Sequence, residues 1–213
     1  MALSDDAEKL WQTATALALK AATVSPHRRA LPPLMFFTDP DRTPAPWQTA
    51  ANLPAGSCVV FRAFSAPDAI YQGRKIKAAC AANGVLFFVG RDAELAKALG
   101  ADGIHLPERD LTKASALREQ TPQWLITGAV HSASAWERAD DLDAAIVSPV
   151  FRAGGSSASK PELGLHAFEA MCAMAPCPVY GLGGINASNV ETLLQTRACG
   201  LAGVDAIQNA FRG

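Results

Sequence analysis

The sequence predicts an α/β protein: a (β/α)8 barrel with an added N-terminal helix. Three observations carry this reading. First, eight short apolar runs recur along the chain: Leu34–Thr38, Cys58–Arg62, Val85–Val89, Gly103–Leu106, Leu125–Gly128, Ala144–Ser148, Val179–Leu182 and Leu201–Val204. Most are continuous rather than alternating, as expected of parallel strands buried on both faces. Second, helical patterns separate them, which is the signature of βα units. Third, no glycine-rich GxGxxG turn follows the first run, where an open doubly wound sheet normally carries one.

Each element has a local reason. Ser4 suits a helix N-cap, and Asp5 and Asp6 suit the positive end of the helix dipole. Apolar side chains then recur at Ala7, Leu10, Trp11, Ala14, Leu17, Ala18 and Ala21, one buried face of a helix that Ser25 and Pro26 should end. This helix precedes the first strand signal, so residues 1–30 read as a helical extension packed on the barrel of residues 31–213. A partner-binding helix is its sharper reading. Further helices are expected over Ala66–Asn83, Asp92–Leu99, Thr112–Glu119, Ser132–Ala139, Leu165–Met174 and Asn189–Thr196. Gly84, Gly100 and Gly200 stand where three of them should stop. The longest loop, Arg152–Glu162, is rich in Gly and Ser.

Length and charge narrow the function. At 213 residues the chain holds one sizeable domain, and a barrel of about 250 residues fits only with trimmed loops. Apolar residues at 49% and charged residues at 18% describe a globular chain. A net charge of −1 argues against a general nucleic-acid or membrane-surface binder. Cys58, Cys80, Cys172, Cys177 and Cys199 are odd in number and form no CxxC pair, so reduced thiols in a cytoplasmic protein are expected. A homodimer is the ordinary expectation for assembly.

In a barrel, chemistry sits where strands end and βα loops begin. That rule selects Thr38, Asp39, Arg62, Gly90, Arg91, His105, Glu108, Asp110, His131, Ser148, Gly183, Gly184 and Asp205. Gly183 and Gly184 precede a helical segment, where bare backbone amides suit a phosphate. Ser157, Ser159 and Lys160 lie in a hydroxyl-rich loop ending in a cation, suited to closing over an anion. His131 follows the fifth run and suits acid/base work, because imidazole exchanges protons near neutral pH. His105 alternates with Ile104 and Leu106, which also suits a core layer. Arg62 ends an apolar run and needs either a ligand or an internal ion pair.

Several strings, taken in order, resemble the thiamine-phosphate synthase/TenI superfamily over roughly residues 34–211. They are Leu99-Gly100-Ala101-Asp102-Gly103-Ile104-His105-Leu106-Pro107-Glu108, Val130-His131-Ser132, Ser148-Pro149-Val150-Phe151, Leu163-Gly164-Leu165, and Gly183-Gly184-Ile185 with Asn189-Val190. The resemblance implies a TIM barrel of thiamine biosynthesis with a small-molecule thiazole phosphate or related anion as ligand. Its synthase branch joins a hydroxymethylpyrimidine diphosphate to a thiazole phosphate with Mg²⁺. Its TenI branch moves a proton to aromatise a thiazole phosphate carboxylate, without a metal.

Residue by residue, the resemblance implies the following. At the synthase Q-x-R-x-K motif this chain reads Val60, Arg62 and Phe64, retaining only the arginine. At the Asn-Asp metal motif it reads Gly90 and Arg91, with Asp92 one position late. Asp110 matches the second metal aspartate, Ala129 replaces a serine, and Asp205 replaces a phosphate-binding serine. A carboxylate beside a phosphate needs an intervening cation, for which Lys160 is the candidate. Together these matches favour a TenI-like isomerase without cofactor, with His131 and Arg62 as its catalytic residues. The alternatives are a Mg²⁺-dependent synthase using Asp110, and a repurposed non-catalytic barrel.

Overall fold

The computed structural model describes residues 3–24, 29–155 and 159–212. It is a closed barrel of eight parallel strands in sequence order, with β8 pairing back onto β1. The strands are β1 (Leu34–Phe37), β2 (Cys58–Phe61), β3 (Leu86–Gly90), β4 (Gly103–Leu106), β5 (Leu125–Val130), β6 (Ala144–Val147), β7 (Val179–Leu182) and β8 (Gly200–Gly203). All eight predicted runs are strands.

The helices are α1 (Asp5–Val24), α2 (Pro46–Asn52), α3 (Ala69–Ala82), α4 (Ala93–Ala98), α5 (Ala114–Gln120), α6 (Gly164–Met174) and α7 (Asp205–Phe211). The connections Glu108–Lys113, Ala133–Arg138 and Val190–Gln195 are 3₁₀ turns. Two segments expected as α-helix, Ser132–Ala139 and Asn189–Thr196, are therefore 3₁₀, the tighter form that short connections adopt. The predicted stop of α1 at Ser25 and Pro26 lies outside the described residues.

Two apolar layers explain the continuous runs. Along each strand, alternate side chains face the barrel interior and the helical shell. Met35, Phe37, Val60, Phe88, Ile146 and Tyr180 fill the interior. Phe36, Val59, Phe87, Ile104, Ile126 and Val147 pack outward against the helices. With both faces dry, the strands are almost wholly apolar, and the polar pair His105 and Thr127 meet each other across β4 and β5.

Small residues make room for the aromatic ones. A Cβ on Gly103 would stand 2.8 Å from the Phe88 ring, and one on Gly200 would stand 2.6 Å from the Tyr180 ring. Gly200 is thus the first residue of β8 and not a helix stop; its lack of a side chain admits Tyr180. That fully buried ring donates its hydroxyl proton to the Pro32 carbonyl at 2.6 Å. Gly84 and Gly100 do follow α3 and α4 with φ of +64° and +60°.

Helix α1 is docked on the barrel from its N-cap Ser4 to Ala21. Ala7, Leu10, Ala14 and Leu17 are fully buried against the apolar shell. Ser4 accepts from the Ala7 N–H at 3.2 Å and donates to the Ala210 carbonyl at 3.1 Å, tying the N-cap to α7. Lys20 donates to the carbonyls of Leu194 and Thr196, each at 3.0 Å. The helix covers β8 and the Val190–Gln195 turn, where the shell would otherwise lack a long helix.

Candidate active site

The side chains that carry charge into the barrel gather at the C-terminal ends of the strands. Arg62 follows β2 directly and is held from several sides. Its Nε donates to the Thr38 carbonyl at 2.6 Å, and its guanidinium lies 3.4 Å from Asp39. The Phe37 and Phe64 rings flank it, with centroids at 5.7 and 5.2 Å. Burial lowers its pKa from the usual arginine value against the opposing pull of Asp39. Arg62 therefore has the internal ion pair that the sequence allowed.

His105 lies one layer deeper, edge-on to Phe37 with centroids 4.9 Å apart. Its Nδ1 lies 3.1 Å from the Thr127 hydroxyl. Burial, reinforced by the charge of Arg62 and then by His131, pushes its pKa down to about 3. It is a neutral core histidine, in keeping with its alternation between Ile104 and Leu106.

His131 is exposed just beyond β5, and its own backbone fixes it. The main-chain N–H donates to Glu108, and ring Nδ1 lies 3.0 Å from the Ser148 carbonyl. A carbonyl can only accept, so Nδ1 carries the proton and Nε2 is left as the acceptor. His131 lines a cavity of about 460 Å³ with Pro107, Glu108, Arg109, Arg138 and Lys160. A larger cavity of about 740 Å³ opens at the opposite end of the barrel, beside the N-terminal ends of β6 and β7 and far from these groups.

Asp205 begins α7, and its cation is Arg42 rather than Lys160. The Arg42 Nε donates to Asp205 Oδ1 at 2.8 Å, and the second nitrogen reaches Oδ2. The carboxylate's hydrogen bond raises the Arg42 pKa. Asp39 sets the turn that presents Arg42, accepting from the Asp41 and Arg42 amides at 3.2 Å. Lys160 instead borders the His131 cavity. Ser159 is exposed beside it, and Ser157 lies outside the described residues.

Gly183 and Gly184 turn the chain after β7 with φ of +97° and +67°. The β6–α6 loop presses onto them. A Cβ on Gly184 would stand 2.5 Å from the Arg152 carbonyl oxygen, and one on Gly183 would stand 2.8 Å from Pro149. The glycines thus serve the close packing of two loops.

The Mg²⁺ that the resemblance implies for a synthase finds no fitting ligand set. Asp110 has a buried Oδ2 without a hydrogen-bond partner, as a metal ligand would. Its surroundings are cationic, however: Lys113 at 2.7 Å from Oδ1, and Arg91 and Arg109 each at 3.9 Å from Oδ2. Lys113 above all holds the Asp110 carboxyl below the usual range. Asp92 is spent capping α4, accepting from the Leu95 N–H at 2.9 Å. Glu108 is engaged by the His131 amide and by Arg138. Among the described residues no group of three His, Cys, Asp or Glu side chains suits a metal. Mg²⁺ needs carboxylate oxygens in near-octahedral array, and one carboxylate ringed by cations does not supply them.

The backbone marks the same region. Phe64, Ser65 and Arg91 are the non-glycine residues with positive φ among those described, and they follow β2 and β3 at this mouth. Each such residue costs on the order of 1–2 kcal/mol, a strain that clusters at functional sites. Sequence reading did not single out Arg42, Arg109, Lys113 or Arg138. The signal that would have found Arg42 is its place in the first βα loop.

Comparison with known proteins agrees with the barrel fold. A family model described as thiamine monophosphate synthase matches residues 34–207. The thiamine-phosphate synthase of Methanoculleus marisnigri is 36% identical over 126 residues, covering 58% of this chain and 60% of that one. That of Haloquadratum walsbyi is 35% identical over 143 residues, covering 65% and 64%. The chain thus spans less than two thirds of the length of these relatives. A solved structure of thiamine phosphate pyrophosphorylase from Pyrococcus furiosus superposes with a TM-score of 0.70 at 23% identity, covering 84% of this chain and 91% of that one, which shows the shared barrel. The relatives' names favour the synthase alternative over the isomerase that the Val130-His131-Ser132 step placed first. The chain belongs to the thiamine monophosphate synthase family.

Proposed function

We propose that the barrel joins a pyrimidine diphosphate to a thiazole phosphate, the synthase reaction implied by its family resemblance. The observation that carries this reading is the charge of the mouth. Arg91, Arg109, Lys113, Arg138 and Lys160 stand around two carboxylates, Glu108 and Asp110. A surplus of cations in a chain of slightly negative net charge suits substrates that bring phosphate groups. In the reaction the bond from the pyrimidine methylene carbon to the diphosphate oxygen breaks. That carbon bonds to the thiazole nitrogen, and pyrophosphate leaves with the electron pair. Arg62, wedged between Phe37 and Phe64, and the Gly183–Gly184 turn are the proposed groups for positioning the two substrates. Incubating the chain with both substrates should yield thiamine phosphate and pyrophosphate in equal amounts. No product above background at high enzyme concentration excludes the reaction.

A second reading, the TenI-like isomerase, is favoured by the orientation of His131. Its Nδ1 faces the Ser148 carbonyl, so in the neutral ring Nε2 is the nitrogen that can accept a substrate proton. Under this reading, thiazole isomerisation falls at least about a hundredfold in His131→Asn while ligand affinity is retained. The synthase reading predicts that the parent protein has no isomerisation to lose.

A further inference from the structure

We infer that this barrel meets the diphosphate of its substrate with side-chain cations, Arg91, Arg109 and Lys113 gathered on Asp110, and not with a divalent metal. The inference rests on the synthase reading above and specifies how its diphosphate site works.

The arrangement is inverted from that of a metal site. A metal-binding aspartate presents its oxygens outward, to an ion that then meets the phosphate. Here the Asp110 side chain is 13% exposed, whereas those of Arg91, Arg109 and Lys113 are 68, 67 and 65% exposed. The carboxylate is drawn in and the cations face out. One negative charge thus gathers three positive ones, leaving a net positive cluster open to solvent.

Arg91 is placed there at the expense of its backbone. Its φ is +69°, and its amide donates to the His105 carbonyl at 2.8 Å while the Asp92 amide donates to the Gly90 carbonyl at 2.8 Å. This kink follows β3 directly and points a largely exposed guanidinium at the carboxylate of the next βα loop. A side chain that buries so little does not explain a left-handed backbone by packing. A need to present charge at this spot does.

The cluster also reaches the candidate cavity, since Arg109 lines it together with His131 and Lys160. Guanidinium groups offer paired donors to phosphate oxygens, and their charge does not depend on a dissociable ion. When the carbon–oxygen bond breaks, the electron pair goes to the departing diphosphate oxygen. The cations stabilise that developing charge without any proton being transferred.

The test is a calorimetric titration of the full chain with pyrophosphate, in excess EDTA and in Mg²⁺. The parent protein, Arg91→Ala, Lys113→Ala and Asp110→Asn are compared after each is shown to unfold cooperatively. Saturable binding in EDTA is expected, unchanged or weaker with Mg²⁺, which itself complexes free pyrophosphate. Arg91→Ala and Lys113→Ala should each weaken it about tenfold, whereas Asp110→Asn should retain or tighten it. Binding that requires Mg²⁺ and is lost in Asp110→Asn overturns the inference and leaves the synthase reading standing. Affinity in EDTA that is indifferent to both cation variants also overturns it. No binding under either condition removes the diphosphate reading itself, and the inference with it.

Discussion

Arg42 and Asp205, 163 residues apart, form a two-pronged ion pair across the seam where β8 closes onto β1. The pair stands where the family resemblance implies a serine on the thiazole phosphate. Under the proposed function it removes the conflict of a carboxylate beside a phosphate, because Asp205 is already paired with Arg42. Arg42→Ala should therefore expose Asp205 as an uncompensated charge and weaken thiamine phosphate binding about tenfold, or about 1.4 kcal/mol. Adding Asp205→Ser to Arg42→Ala should restore most of the loss, as a double-mutant cycle in dissociation constants would show. Independent, additive effects would separate the pair from the ligand.

His105 gives the fold a pH dependence of defined sign. Its folded pKa of about 3 lies below the ordinary 6.5, so the unfolded chain takes up a proton first as pH falls. The stability it contributes is full above about pH 6.5 and is lost as pH falls toward 3, by at most about 1.4 kcal/mol per pH unit. Urea unfolding between these limits should show a shallower acid limb in His105→Gln than in the parent. Equal slopes would mean that the histidine is protonated in the native state.

Gly184 admits no side chain. Gly184→Ala places a Cβ within 2.5 Å of the Arg152 carbonyl oxygen on a backbone with φ of +67°. A loss of about 1–3 kcal/mol is expected in denaturant unfolding, from the strained backbone and the displaced β6–α6 loop. Gly154→Ala, where a Cβ meets nothing within 4 Å, is the control and should be nearly silent.

Helix α1 behaves as part of the barrel's shell. Leu17→Ala removes a fully buried side chain and should cost about 2–5 kcal/mol in the same cooperative transition. Leu19→Ala, on a residue 66% exposed, should change stability by less than about 0.5 kcal/mol. A separate early transition for α1 would contradict its docking.

The strands were legible because double burial leaves few polar positions to interrupt them, so eight apolar runs mapped onto eight strands. Two short shell helices were not, although α4 and α5 were expected over Asp92–Leu99 and Thr112–Glu119. Helix α2 has the mixed sequence PWQTAAN, and α7 hides behind the apolar end of β8. The site was legible as positions at strand ends, which placed His131, Arg62, Asp110 and Asp205 at one mouth. Its charge pairing was not, because partners such as Arg42 and Asp205 meet only through barrel closure. The linear sequence around Asp110 shows Arg109 and Lys113 beside it but not the third cation; Arg91 arrives from the preceding βα loop. Gly200 read as a helix stop because its true reason, the Tyr180 ring, comes from the neighbouring strand.

The most direct measurement is a calorimetric titration of the full chain with thiamine phosphate, which carries the pyrimidine and the thiazole phosphate in one stable molecule. Saturable binding at a single site, weakened by Arg42→Ala, is expected. No binding at ligand concentrations of about 1 mM, or binding untouched by that substitution, would contradict a phosphate-recognising mouth at the C-terminal ends of these strands.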